Sequence, residues 1–218
     1  MNEMQNLEQF QPVLELMGKL TTEQSRIALA IYREIAEQGT VTPYELASLT
    51  GKTEGEIEDY MNETGGIYCD ENGSIVGFWG LTAAPISDHQ IVFESKTRYA
   101  WCAWDTLFIP ELLDATLKIA SKCAETQKPI SLEVSPEEIV SASSPAIVVS
   151  MLVPDEFAFT KDIIGSFCHH IHFFETADAG QRWIADKSGI ELLSLREAFE
   201  LGQLKNNYQF YSELPPNC

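Results

Sequence analysis

Thr53-Glu-Gly-Glu-Ile-Glu-Asp-Tyr-Met-Asn-Glu63, followed by Ile67-Tyr-Cys69, Asp70-Glu-Asn-Gly73 and Ile75-Val-Gly-Phe-Trp79, decides how the first third of the chain is read. The first stretch has helical character. The Asn72-Gly73 pair between two strand-like runs is a strong hairpin signal, because both residues tolerate the positive φ that tight hairpin turns require. Upstream, Thr22 to Gln38 reads as a helix with Ile27, Ala30, Ile31 and Ile35 as its buried stripe. Thr21 or Thr22 caps its start and Gly39 lies past its end. A second short helix follows Thr42-Pro43, with Pro43 at a favoured first-turn position, and ends near Gly51. Residues 1 to 20 add an amphipathic helix through Leu7, Phe10, Val13, Leu14 and Met17, expected to pack on the elements after it. Three helices and a hairpin make a winged-helix pattern, which predicts a first domain over residues 1–83.

A winged helix invites a DNA-binding reading, in which the third helix enters the major groove. The charges oppose it. Thr53 to Glu63 carries Glu54, Glu56, Glu58, Asp59 and Glu63 and no basic residue, and the whole chain sets 33 acidic against 14 basic side chains for a formal charge of −19. Such a surface repels phosphate backbones and anionic lipid, so neither nucleic acid nor membrane is an expected partner, and the first domain is expected to cover the second. No apolar run approaches a membrane span and the first residues lack a signal-peptide pattern, which makes the cytoplasm the expected compartment. Cys69, Cys102, Cys123, Cys168 and Cys218 are an odd, sparse set with no zinc-ribbon or disulfide spacing, so reduced thiols are expected.

After a connecting stretch from Gly77 to Pro85, residues 84–218 are expected to form a mixed α/β domain, giving an α+β fold overall. A strand is predicted at Gln90 to Glu94 and a helix from about Trp101 to Ala120, interrupted or restarted at Pro110. Further strands are predicted at Ile130 to Val134, Ala146 to Val153 and Ser166 to Glu175. Helices at Ala177 to Lys187 and Ser194 to Gln203 close the domain, the latter opened by the capping box Ser194-Leu-Arg-Glu197. The last residues, 213–218, read as a tail.

Two segments of this domain carry chemistry: Arg98-Tyr-Ala-Trp-Cys-Ala-Trp-Asp-Thr-Leu-Phe108 and Gly165-Ser-Phe-Cys-His-His-Ile-His-Phe-Phe174. On a helix, Cys102 and Asp105 stand at i and i+3, about 5 to 6 Å apart at Cβ, which sets a soft nucleophile beside a proton source. Spacing alone fits a small core cysteine as well. On a strand, Cys168, His170 and His172 would share one face, workable for zinc but short of a fourth ligand; histidines satisfied in or near the core are the preferred reading. Cys123 is expected on or after an apolar helix in a structural role. Trp101, Trp104 and Phe108 either line an apolar pocket or pack in the core.

Both segments resemble the two active-site motifs of the alkylmercury lyase (organomercurial lyase) family. Ser121-Lys-Cys123 and Pro129-Ile-Ser-Leu-Glu-Val-Ser-Pro-Glu-Glu-Ile139 between them match as well. The resemblance runs over roughly residues 90 to 205 and implies protonolysis of organomercurials to a hydrocarbon and Hg(II), without an organic cofactor. It implies catalytic roles for Cys102, Asp105 and Cys168, with Cys102 and Cys168 holding the Hg(II) product and Asp105 in weak contact with it. His169 stands where some relatives have another cysteine.

The implied chemistry is coherent. Mercury(II) is soft and prefers thiolate, and two thiolates push electron density onto the bonded carbon until a nearby acid can protonate it. Cys102 would be the first nucleophile if it lay in a first helical turn, where the dipole favours thiolate. Asp105 is either a carboxyl kept protonated by apolar surroundings or adjacent thiolate, or a carboxylate that first accepts a thiol proton and later returns it. Product release calls for exchange with small cytosolic thiols or, as the family implies, mercuric reductase. Two rivals remain: a winged-helix metal-sensing regulator, which needs a basic face, and a Cys/His hydrolase, in which His170 or His172 activates Cys102.

Overall fold

Four segments of the form Thr/Ser-x-x-Glu/Gln begin helices by the same device. At Thr21, Thr42, Thr53 and Ser194 the hydroxyl accepts the amide N–H three residues on, while the side chain of Gln24, Glu45, Glu56 or Glu197 accepts the cap residue's own N–H. These boxes satisfy amides that a helix start leaves without partners. The computed structural model describes residues 10–152 and 162–211. Its first helices are α1 (Gln11–Met17), α2 (Thr22–Glu37), α3 (Pro43–Thr50) and α4 (Glu54–Glu63). Leu7 of the predicted N-terminal stripe lies outside the described residues. Phe10, Val13, Leu14 and Met17 are buried as the spacing requires. Helix α1 packs against the C-terminal segment, where Leu20 N–H donates to the Gln209 carbonyl at 2.9 Å and Gln209 Nε2 donates to the Met17 carbonyl at 3.0 Å.

The hairpin forms β1 (Ile67–Cys69) and β2 (Ile75–Phe78) around a turn in which Asp70 Oδ1 accepts the amides of Asn72 and Ser74, with Gly73 at φ 80°. It belongs to a larger sheet with β3 (Leu81–Thr82), β4 (Gln90–Phe93), β5 (Lys96–Ala100), β6 (Leu117–Lys122), β7 (Pro129–Val134) and β8 (Ile139–Ala142). The eight strands lie in the order β1-β2-β3-β5-β4-β6-β7-β8, every neighbouring pair antiparallel. Residue 83 follows β3 directly, so the sheet's hydrogen bonds continue from one side of it to the other. A second, three-stranded sheet has β9 (Val148–Leu152) between β10 (Phe173–Phe174) and β11 (Ile190–Ser194), with α7 (Ala177–Ile184) against it. Helix α5 (Asp105–Leu113) lies between α2 and the last helix, α8 (Leu195–Asn206). No helix among the described residues is long and apolar enough to cross a membrane.

Two expectations are overturned. The helix predicted from Trp101 to Ala120 is confined to Asp105–Leu113, where Asp114 adopts a left-handed conformation at φ 50° and its N–H returns to the Glu111 and Pro110 carbonyls. Leu117, Ile119 and Ser121 are buried while Lys118, Ala120 and Lys122 are exposed, which is the period of a strand rather than of a helix. Cys123 therefore follows a strand, not a helix. The strand predicted over Ser166 to Glu175 is reduced to Phe173–Phe174, preceded by the short helix α6 (Ile163–Ser166) and a 3₁₀ turn at Cys168–His170. The alternating face expected for Cys168, His170 and His172 does not form.

Helices α5 and α8 meet at Gly202, where a Cβ would come within 3.0 Å of Phe108 Cβ, while Trp104 Nε1 donates to the Ala198 carbonyl at 3.0 Å. Gly55, exposed on α4, has nothing within 4 Å of such a position. Gly202→Val is expected to destabilise the fold by about 1–3 kcal/mol through overpacking. Gly55→Ala should stabilise it by about 0.5 kcal/mol through lower unfolded-state entropy. Chemical denaturation of the two variants against the parent checks the opposite signs.

Candidate active site

Strand β5 ends at Ala100, and the chain turns through Trp101 to Trp104 before α5 begins, so Cys102 precedes the helix instead of lying in its first turn. The turn is pinned on both sides. Trp101 N–H donates to the Gly80 carbonyl at 2.9 Å and Ala103 N–H to the Ile171 carbonyl at 3.2 Å. Within it, Cys102 N–H donates to Asp105 Oδ2 at 2.7 Å, which folds the carboxylate back over the cysteine. The 3₁₀ turn holding Cys168 is fixed to β9 by Ser150: its Oγ donates to the His170 carbonyl at 2.7 Å and accepts the His172 N–H at 2.9 Å.

These anchors bring Cys102, Asp105 and Cys168 together. One ligand atom from each lies within 4.8 Å of the others, and all three residues are buried. Both thiols are free and share a hydrogen bond. Burial pushes the Cys102 thiol well up, and its bond to Cys168 adds to the rise. For Cys168 that bond favours thiolate, but burial and the Asp105 charge outweigh it and its pKa is also raised. We read this as Cys102 donating to Cys168, with the proton kept on Cys102. Burial lifts Asp105 to about 6, against hydrogen bonds from Cys102 that favour the carboxylate.

Asp105, Cys168, Trp101 and Phe108 line one small cavity, together with Met17, Trp79, Gly80, Ile163, Phe167 and Lys205. Trp101 and Phe108 thus take the pocket role that the sequence left open, whereas Trp104 is fully buried core, edge-on to Phe108 and Phe167. Gly80 was not singled out from the sequence, yet its φ of 98° and a Cβ position only 2.6 Å from Asp105 Cγ admit no side chain there. Its only signal was a glycine between two strand-like runs. Tyr32, also missed, is buried and donates to the Trp79 carbonyl at 2.7 Å beside this turn.

The histidines do not join the cluster. His172 Nε2 meets the His169 carbonyl at 2.8 Å, and burial lowers its pKa to about 4. His89, unremarked in the sequence, is buried with Nδ1 2.8 Å from Ser121 Oγ. Among the described residues the three-residue group of Cys102, Asp105 and Cys168 is the one set of thiol, imidazole and carboxylate groups placed to hold a soft ion, and no zinc set forms around His170 and His172. Burial tends to raise the Cys123 thiol, but hydrogen bonds from Thr126 and from the amides of Glu175, Thr126 and Glu125 outweigh it and lower its pKa.

The family model for MerB, alkylmercury lyase, matches residues 81–205. An alkylmercury lyase of Bacillus cereus is 38% identical over 165 residues, covering 76% of this chain and 73% of the relative. One of Pseudomonas putida is 32% identical over 187 residues, covering 86% of each. A crystal structure of the mercury-bound form of MerB2 superposes with a TM-score of 0.74 at 26% identity, covering 89% of this chain and 96% of that one. A matched family model across more than half of the chain, relatives above 30% identity and a shared mixed α/β fold place the chain in the alkylmercury lyase family, as an enzyme that cleaves organomercurials.

Proposed function

We propose that the chain breaks the carbon–mercury bond by protonolysis, with Cys102 and Cys168 as the two sulfurs that close on mercury and Asp105 as the proton carrier. The observation that carries this reading is the convergence of two free thiols and one carboxylate within 4.8 Å in a buried site. One thiol displaces the ligand X of R–Hg–X and its proton leaves as HX. The second thiol gives its proton to the Asp105 carboxylate and binds the same mercury. Two sulfurs now donate into the metal, the carbon gains basicity, and Asp105 returns the proton to it. R–H departs, leaving Hg(II) between Cys102 and Cys168, with Asp105 a weak oxygen neighbour. The hydrogen bond that the Cys102 backbone N–H donates to Asp105 Oδ2 supports a carboxylate that accepts first, because an N–H donor favours the ionised form.

The same reading takes Hg(II) to small thiols or mercuric reductase by thiolate exchange, in a cytoplasmic setting and without an organic cofactor. We read residues 1–83 as a winged-helix-like unit that covers a catalytic domain of residues 84–218. Met17 and Trp79 line the cavity from that side, with Tyr32 donating to the Trp79 carbonyl behind them, and the acidic α4 argues against DNA and hence against a metal-sensing regulator. A Cys/His hydrolase gains no support, since the thiol of Cys102 meets Cys168 and Asp105 and His172 is engaged with His169.

Cys102→Ala and Cys168→Ala should each abolish turnover of a phenylmercury substrate while melting cooperatively. Near-parental turnover by either would remove the two-sulfur mechanism. Asp105→Asn should retain thiol capture but release hydrocarbon about 10²–10⁴-fold more slowly, so that a protein-bound R–Hg adduct accumulates and is visible by native mass spectrometry.

In deuterated water, phenylmercury should yield benzene carrying one deuterium, detected by gas chromatography with mass analysis, because carboxyl and thiol protons exchange with solvent. Benzene without deuterium would exclude protonolysis. The carboxylate-first order also fixes the sign of the acid limb: Asp105 must be ionised to accept the thiol proton, so kcat/KM should fall as pH drops through about 6. The limb belongs to the coupled group of Asp105, Cys102 and Cys168 rather than to one residue.

A further inference from the structure

Lys205 sits on the buried face of α8, 1% exposed, and lines the same small cavity as Asp105 and Cys168. It is the one basic side chain among the described residues around that cavity. Its Nζ lies 4.0 Å from the Phe108 ring centroid and 5.0 Å from that of Phe210, and it donates to Asn206 Oδ1 at 3.2 Å. Asn206 in turn donates from Nδ2 to the Phe108 carbonyl at 3.0 Å and to Glu111 Oε2 at 2.8 Å. The ammonium is thereby held against two rings and an amide. The carboxylates acting on it through space are Asp105 and Glu111. A buried lysine is costly unless a negative charge faces it. Burial drives this one down to about 7, while Asp105 and Glu111 resist the fall.

We propose that Lys205 is a positioning residue for the reaction, whose buried ammonium faces Asp105 across the cavity and compensates the single negative charge that the site carries. This rests on the roles proposed for Cys102, Asp105 and Cys168. At rest the site holds the Asp105 carboxylate and two thiols. Capture of R–Hg–X by the first thiol expels HX and gives a neutral R–Hg–S adduct, leaving that carboxylate. Transfer of the second thiol proton to Asp105 and closure of the second sulfur move the negative charge onto the R–Hg(S)₂ group. Protonation of carbon by Asp105 restores the carboxylate beside a neutral Hg(S)₂. One negative charge persists throughout and changes place, so one cation suffices, and Lys205 neutralises it in each state. Without the ammonium no basic side chain among the described residues lines the cavity to face that charge as it moves between Asp105 and the two sulfurs.

The consequence is a split between capture and release. Lys205→Met keeps the length of the stem and removes the charge, and Lys205→Gln gives a second, polar replacement. Rapid-mixing mass spectrometry of the R–Hg adduct and chromatography of R–H follow the two steps after adding a phenylmercury substrate. Both variants should capture R–Hg at the parental rate and release R–H about tenfold more slowly, on the order of one unit of proton affinity, because release moves negative charge through a cavity that has lost its one lining cation. Lys205→Met strips the buried cation from Asp105 and Glu111 and should melt below the parent, a loss of stability that by itself would not separate capture from release. Parental release by both variants, or equal loss of capture and release in both, would overturn the inference. Asp105→Asn measured alongside separates the two levels: if it releases R–H normally, the site assignment itself fails, whereas a stalled Asp105→Asn beside normal Lys205 variants sinks only the role of Lys205.

Discussion

The hydrogen bond from the Cys102 amide to the Asp105 carboxylate, 2.7 Å long in a buried pocket, is the constraint on which the site depends. It turns the carboxylate back toward the cysteine instead of letting it point along α5, and it needs room that only the missing side chain of Gly80 leaves. The same glycine supplies the carbonyl that holds Trp101 N–H. Backbone of the β2–β3 connection therefore holds the entry to the turn that carries Cys102 and leaves the space that the Asp105 carboxylate fills. A carboxylate so placed is lifted by burial and restrained by N–H donors, and the outcome near 6 leaves it able to accept a proton and to return one close to neutral pH.

Cys168 reaches this turn from a different layer. Its 3₁₀ turn is tied to β9 through Ser150, and the Ile171 carbonyl receives the Ala103 N–H, so two backbone segments remote in sequence are joined next to the two sulfurs. The distance between the sulfurs is thus set by main-chain bonds rather than by long side chains. Short side chains on anchored backbone lose little rotamer freedom on closing over a metal, which suits the proposed reaction, in which both sulfurs close on one atom.

Much of this was legible in the sequence, for identifiable reasons. Helices α2, α3, α4 and α8 announce themselves through Thr21, Thr42, Thr53 and Ser194, whose caps act locally, and the first hairpin through Asn72-Gly73. The failures arise where tertiary structure overrides local pattern. Leu117 to Lys122 continued an apolar run from α5, and the left-handed turn at Asp114 that ends the helix has no glycine to mark it. Phe167 to Phe174 looks β-prone because it is aromatic, yet Cys168 to His170 turn so that backbone can bond Ser150. The trio of Cys102, Asp105 and Cys168 was legible as motifs, while Gly80 and Tyr32 act through backbone geometry that no motif spells out. Lys205 leaves a fainter signal: Ala198, Leu201, Gly202, Lys205 and Gln209 are all buried along one helical face, and the lysine interrupts it.

The groups proposed to carry or support the reaction are also those whose charge burial opposes most. Burial opposes charge on Cys102, Asp105 and Lys205 alike, raising the two acids and lowering the base. Each shift means that the charged form is less favourable in the folded protein than it would be in water. The surrounding core of Trp104, Phe108, Phe167 and Phe210 supplies the burial that creates this tension and the apolar area that offsets it. Within that core, charge is tolerated because opposite signs occupy one cavity, Asp105 on α5 and Lys205 on α8. The packing of those two helices through Gly202 and Phe108 is what keeps the charges in range of one another, so the helix interface serves the electrostatics of the site as much as the stability of the fold.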